Sequence, residues 1–133
     1  MARVVVIDAS VLIALYASKD GHHSWALSQF TLVAGDQIAI PALTLAEVMV
    51  RPIAAGKMDF LKQNLESLRL DVVPLLPEDA EPLAHMRSET GLKMPDALVL
   101  LTAVSLGAEL MSTDASLISK ARILGIPTIA PSH

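Results

Sequence analysis

The chain has 133 residues, 53% hydrophobic and 18% charged, with 14 Asp and Glu against 10 Lys and Arg, a formal net charge of -4, and no cysteine. A chain of this length hides roughly two-thirds of its unfolded surface, which suffices for one compact domain without staples. The lack of cysteine removes disulfide scaffolds, thiol nucleophiles and thiolate zinc sites. The acidic balance and 3% aromatic content argue against a broad basic or base-stacking surface for nucleic acid.

Arg3 to Ile7 is a β-branched run, apolar on both faces, the pattern of a central parallel strand. Asp8 ends it. Val11, Leu12 and Leu15 then recur at helical spacing between Ala9 and Ala17, with Lys19-Asp20-Gly21 as the stop. A second helix is predicted from about His23 to Ala34, a strand from Gln37 to Ile40, and helices over Ala42 to Ile53 and Lys57 to Leu68. Asp71 to Pro74 reads as a strand. Pro77 and the acids after it open a helix closed by Gly91, and Pro95 sits in the first turn of one running to Leu106. Strand Glu109 to Met111, helix Asp114 to Leu124 and strand Pro127 to Ile129 complete the pattern. Strands alternating with helices throughout predict a single α/β domain over residues 1–133 with a parallel sheet and right-handed crossovers.

The apolar run Ala97 to Leu106 stops well short of the ~18 residues of a membrane span. Asp8 in the middle of the first apolar segment also argues against an export signal, so a cytoplasmic protein is expected.

In parallel sheets ligands bind beyond the carboxyl ends of the strands, which makes the placement of acids informative. Asp8 follows the first strand, Glu47 lies on the helix after the second, Asp96 opens the helix before a later strand, and Asp114 follows that strand. Asp8, Asp96 and Asp114 also stand at helix starts, where Asp caps orphan amides for about 1 kcal/mol, so capping competes with chemistry at each. Glu47 has Arg51 four residues on, an ordinary surface pairing, yet its neighbours Leu43, Leu45, Ala46, Val48, Met49 and Val50 are nearly all apolar. Four carboxylates converging on one crevice would repel one another unless a cation neutralised them, and oxygen donors suit Mg²⁺ or Mn²⁺. His22 and His23 lack the spacing of a metal pair and read as a solvent-facing helix start.

The segments VVIDASVL (Val5 to Leu12), LTLAEV (Leu43 to Val48), PDAL (Pro95 to Leu98) and STDASL (Ser112 to Leu117) resemble the successive signatures of PIN-domain ribonucleases, most closely the VapC-type toxins of toxin-antitoxin pairs. The resemblance spans essentially the whole chain. It implies a PIN-like three-layer α/β/α sandwich around a parallel sheet, with Asp8, Glu47, Asp96 and Asp114 as catalytic, metal-binding acids and Ser10 and Ser112 as the hydroxyls that support them. It further implies Mg²⁺- or Mn²⁺-dependent cleavage of RNA to a 5′-phosphate and a 3′-hydroxyl, homodimerisation, and a cognate antitoxin over the site or its groove. One position departs from the family pattern: Ser116 stands where many members have a further Asp, which favours one tightly held ion over two. Arg51 and Lys93, close in sequence to the acids, are candidates for contacting flanking phosphates.

A phosphatase of the haloacid-dehalogenase type would need a second Asp where Ser10 stands, and a phosphorelay receiver would need an early acidic pair. The rival from another class is a catalytically silent PIN-like module that binds RNA or protein, a reading that Ser116 keeps open and the intact quartet opposes.

Overall fold

The computed structural model describes residues 3–132. Five strands, β1 (Val4–Ile7), β2 (Gln37–Pro41), β3 (Asp71–Val73), β4 (Glu109–Met111) and β5 (Thr128–Ile129), form one sheet of order β3-β2-β1-β4-β5 with every pairing parallel. Seven helices connect them: α1 (Ala9–Tyr16), α2 (His23–Leu32), α3 (Ala42–Ala54), α4 (Met58–Leu68), α5 (Ala80–Thr90), α6 (Met94–Leu106) and α7 (Ala115–Ile123). The helix expected to open at Pro77 is divided. Pro77–Asp79 form a 3₁₀ turn, in which the Asp79 carboxylate accepts the Leu76 amide at 2.8 Å, and α5 follows.

The strands are short and the middle ones alternate strictly between two cores. Val6, Ala39 and Leu110 point to one face, where α5, α6 and α7 pack with Leu83, Leu100 and Leu117. Val5, Ile7, Ile38, Ile40 and Met111 point to the other, covered by α1 to α4 through Val11, Phe30, Val48 and Leu61. Burial on both sides is why β1 is apolar at successive positions: Val5, Val6 and Ile7 are all fully buried. The result is the expected α/β/α sandwich.

The edge of the sheet away from the carboxyl ends is tied by charge. Arg3 donates through Nε and Nη2 to the Glu109 carboxylate, the latter at 3.0 Å, and its Nη1 lies 3.9 Å from Asp36. Gln37 Nε2 donates to Asp71 at 2.7 Å on the adjacent pair of strands. The Arg3 hydrogen bond holds the Glu109 carboxyl below the usual carboxylate range, and these pairs bridge β1 to β4 and to β2, and β2 to β3.

In the 3-2-1-4-5 order the chain winds outward from β1 in one direction and then returns to β4 on the other side. The crevice at this reversal lies between the carboxyl ends of β1 and β4. Helix α6 crosses back over it with Ala97, Leu98, Val99, Leu100 and Ala103 buried. Truncating its fully buried Leu100 to Ala is expected to cost about 2–5 kcal/mol in urea unfolding with an unchanged denaturant slope.

Candidate active site

The register of β1 on β4 pairs Ile7 with Met111, so the residues after them, Asp8 and Ser112, face one another as the strands end. Asp8 is 5% exposed and Ser112 fully buried. Ser112 Oγ donates to Asp8 Oδ2 at 2.7 Å, and Ser10 Oγ donates to Oδ1 at 2.5 Å. Each hydroxyl is also an acceptor: Ser10 Oγ takes the Thr113 amide at 3.1 Å, and Ser112 Oγ takes the Asp114 amide at 3.0 Å. Asp8 occupies the N-cap position of α1 but its side chain makes no capping hydrogen bond. The Val11 amide in the first turn of α1 still acts on the carboxylate, more weakly than the two serines, so the hydroxyls are its main partners. Burial pushes its carboxyl up, the Ser10 and Ser112 hydroxyls and the Val11 amide pull it down, and the charge of Asp114 pushes it up again.

The other acids behave differently from one another. Asp114 is a true cap, its Oδ1 accepting the amides of Ser116 at 2.9 Å and Leu117 at 3.2 Å. Asp96, in the first turn of α6, is half-buried, and no side-chain cap is formed at that helix start. Its carboxyl is raised by burial and by Asp114, and lowered by Lys93. Glu47 is exposed on α3, raised by its partial desolvation and by Asp96. Repulsion thus links Asp8 to Asp114, Asp114 to Asp96, and Asp96 to Glu47, so the four acids form a chain of electrostatic neighbours.

The two cations singled out from the sequence separate. Lys93 is exposed at the N-cap position of α6 and acts electrostatically on Asp96. Arg51 forms no ion pair with Glu47 among the described residues, so the ordinary pairing expected of that spacing is not made. The Glu47 and Arg51 side chains instead line a groove of about 700 Å³ between α1, α3 and α4, whose walls include Leu12, Ile13, Val48 and Leu61. A second hollow of about 310 Å³, lined by Tyr16, Lys57 and Phe60, adjoins it at Arg51. The two histidines are half-buried, a correction to the solvent-facing reading: His23 Nδ1 lies 2.8 Å from the Ala14 carbonyl, and the His22 amide donates to Asp20 at 2.8 Å.

Four hard oxygen donors, three of them with carboxyls raised by burial and by each other, form a set that a divalent cation suits chemically. Among the described residues, however, no group of three or more Asp, Glu, His or Cys side chains is gathered as a formed metal cluster. The acids are coupled pairwise, and holding one ion with three of them requires side-chain movement, for which exposed Glu47 has the longest reach. One residue was not singled out from the sequence: Thr44, three positions before Glu47, whose buried Oγ1 has no hydrogen-bond partner. A hydroxyl on the inward stripe of an apolar helix was the signal.

Comparison with known proteins fits this architecture. A toxin-antitoxin complex from Klebsiella pneumoniae contains a chain similar over 94% of this one and 95% of its own, at 26% identity and a TM-score of 0.73. VapBC2 from Rickettsia felis, bound to a DNA fragment from its promoter, is similar in fold over 96% of this chain and 98% of its own, at 16% identity and a TM-score of 0.74. Among curated proteins none matches the sequence significantly. The family model for the PIN domain matches residues 5–123. PIN domains are generally nucleases and typically use divalent metal ions, and with that match over most of its length the chain belongs to the PIN domain family.

Proposed function

We propose that the chain is a metal-dependent endoribonuclease acting as the toxin of a toxin-antitoxin pair in the cytoplasm. The observation that carries this reading is Asp8: a carboxylate buried at the topological switch point, gripped by two hydroxyls and coupled to Asp114. Burying a charge costs more than a helix cap returns, so the fold alone gives little reason for an aspartate there.

Asp8, Asp96 and Asp114 would hold the Mg²⁺ or Mn²⁺, with Glu47 at the outer edge of the crevice to orient the attacking water. When bound, such a cation supplies positive charge at the scissile phosphodiester and makes water more acidic. Ser10 and Ser112 keep both Asp8 oxygens aimed and ionised. Arg51 and Lys93 flank the crevice as contacts for neighbouring phosphates. Water adds to phosphorus and the 3′-oxygen leaves, giving a 5′-phosphate and a 3′-hydroxyl. Ser116, whose amide is capped by Asp114 and whose side chain adds no charge, limits the site to four acids and favours one ion. The rival reading, a silent PIN-like module, draws on the absence of a formed three-acid cluster among the described residues.

The two readings part in a cleavage assay on structured RNA. With Mn²⁺ the wild type should cut and chelator should stop it. Asp8→Asn and Asp96→Asn should each lose at least about 100-fold, the scale of removing one electrostatic stabiliser of a transition state. Cleavage that persists in chelator, or variants as active as wild type, would overturn the proposal.

Stability gives a second handle. Asp8, Glu47 and Asp96 have folded-state values raised above their ordinary ones. Their contribution is therefore greatest at low pH and is lost as pH rises from the usual carboxylate range through the raised values. In chelator, this loss should be visible in urea melts and shallower in Asp8→Asn. Mn²⁺ at 100 times its Kd should restore about 2.7 kcal/mol to wild type and little to the variant.

The proposed antitoxin and a second copy of the chain need surfaces. The groove beside Glu47 and Arg51 is apolar, and Val50 and Phe60 around it are 64% and 66% exposed. A partner segment laid there would cover the crevice, while Leu32 and Ile123, 71% and 76% exposed, offer contacts for dimerisation. A double change of Val50 and Phe60 to Asp should weaken antitoxin binding by about 30-fold or more in calorimetry, a loss of about 2 kcal/mol, while cleavage by the free protein persists.

A further inference from the structure

Four threonines lie within helices, and three of them settle their hydroxyls in the same way. Thr31, Thr90 and Thr102 donate to the carbonyls of Leu27, Met86 and Leu98, each four residues back, at 2.9, 2.7 and 2.7 Å. Thr44 does not. It is the third residue of α3, so the carbonyl four residues back belongs to Ile40 in β2, before the extended N-cap Pro41, and is not presented to the helix. Its Oγ1 is buried and unpartnered, and the residue is 1% exposed. An unmet buried hydroxyl destabilises, and a valine would fill the same space without that cost.

Its position suggests what it serves. Helix α3 starts at the carboxyl edge of the sheet and packs against α1, which begins directly after Asp8, and α6, whose first turn holds Asp96. Thr44 and Val48 form the buried stripe of α3, and Glu47 stands one turn beyond Thr44 on the adjacent face. Helical side chains lean toward the N-terminus, over the residues three and four positions back, so the Glu47 carboxylate has Thr44 within its range.

We propose that Thr44 is a positioning residue for Glu47: when Glu47 turns into the crevice, its carboxylate accepts the Thr44 hydroxyl proton and is held toward the cation. The inference rests on the metal-dependent nuclease reading above. It explains the pairing of an unmet donor with an exposed acceptor on one helix: the bond forms only in the loaded site.

The test compares Thr44→Val and Thr44→Ser with wild type, with Glu47→Gln as background. Thr44→Val should fold with an unfolding midpoint at or above that of wild type, while its kcat on RNA falls about tenfold, the factor one hydrogen bond to a charged group supplies, at unchanged KM. Its Mn²⁺ affinity by calorimetry should fall as well. Thr44→Ser should recover both, and adding Thr44→Val to Glu47→Gln should cost nothing further. Thr44→Val with wild-type kcat and Mn²⁺ affinity overturns the positioning role and leaves the nuclease reading intact. A clear loss of stability in Thr44→Val also overturns it, since the hydroxyl would then have a partner within the fold. Wild type that neither cleaves RNA nor binds Mn²⁺ overturns both.

Discussion

The structure turns on one buried carboxylate. Asp8 sits where β1 ends, and both its oxygens accept hydroxyls that themselves accept backbone amides, Ser10 from Thr113 and Ser112 from Asp114. An amide can only donate, so each hydroxyl proton is directed at the carboxylate. The polarity runs one way, from the β4–α7 junction through two serines into Asp8. This arrangement favours the ionised form while burial opposes it, which is how a carboxylate can remain an acceptor in a nearly dry position. Two of these four hydrogen bonds, Ser112 to Asp8 and Thr113 to Ser10, cross between the chain segments that flank the switch point and fasten them together.

Charge elsewhere is arranged around that constraint. Of 14 acids, the four of the crevice account for the whole excess over the 10 Lys and Arg, so the rest of the chain is balanced. An acidic composition that argues against a broad basic surface is better understood as a balanced chain carrying one concentrated negative site. Such a site is compatible with a polyanionic substrate only if a cation is bound there, and this is the physical core of the proposed activity. Asp114 softens the repulsion by giving one oxygen to the positive end of α7, and Lys93 does so beside Asp96.

Much of this was legible in the residues. The apolar run from Arg3 to Ile7 announced a central strand, and the break read at Gly91 fell at the end of α5. Three Asp at helix starts could not be told apart, however, because a capping sequence looks the same whatever else the side chain binds. The difference for Asp8 is made by Ser112, 104 residues away, through a register that local pattern does not encode. His23 escaped for the same reason: its partner is the Ala14 carbonyl on the preceding helix. Thr44 was overlooked because hydropathy ranks it close to its apolar neighbours, while its unmet hydroxyl emerges only once the helix start is placed against β2.

Helix α3 then carries more than one demand. Its inner stripe, Thr44 and Val48, packs into the fold; Glu47 faces the crevice; Arg51 shares the groove; and Val50 and Ile53 are 64% and 62% exposed. A helix devoted to stability would place charge outward and apolar groups inward. This one exposes apolar groups and holds its acid beside the acids of other elements, so a partner bound along its outer face would lie within one or two turns of Glu47. In the proposed toxin, inhibition then needs no signal transmitted through the core: the segment that covers the exposed side chains of α3 is already positioned over the crevice.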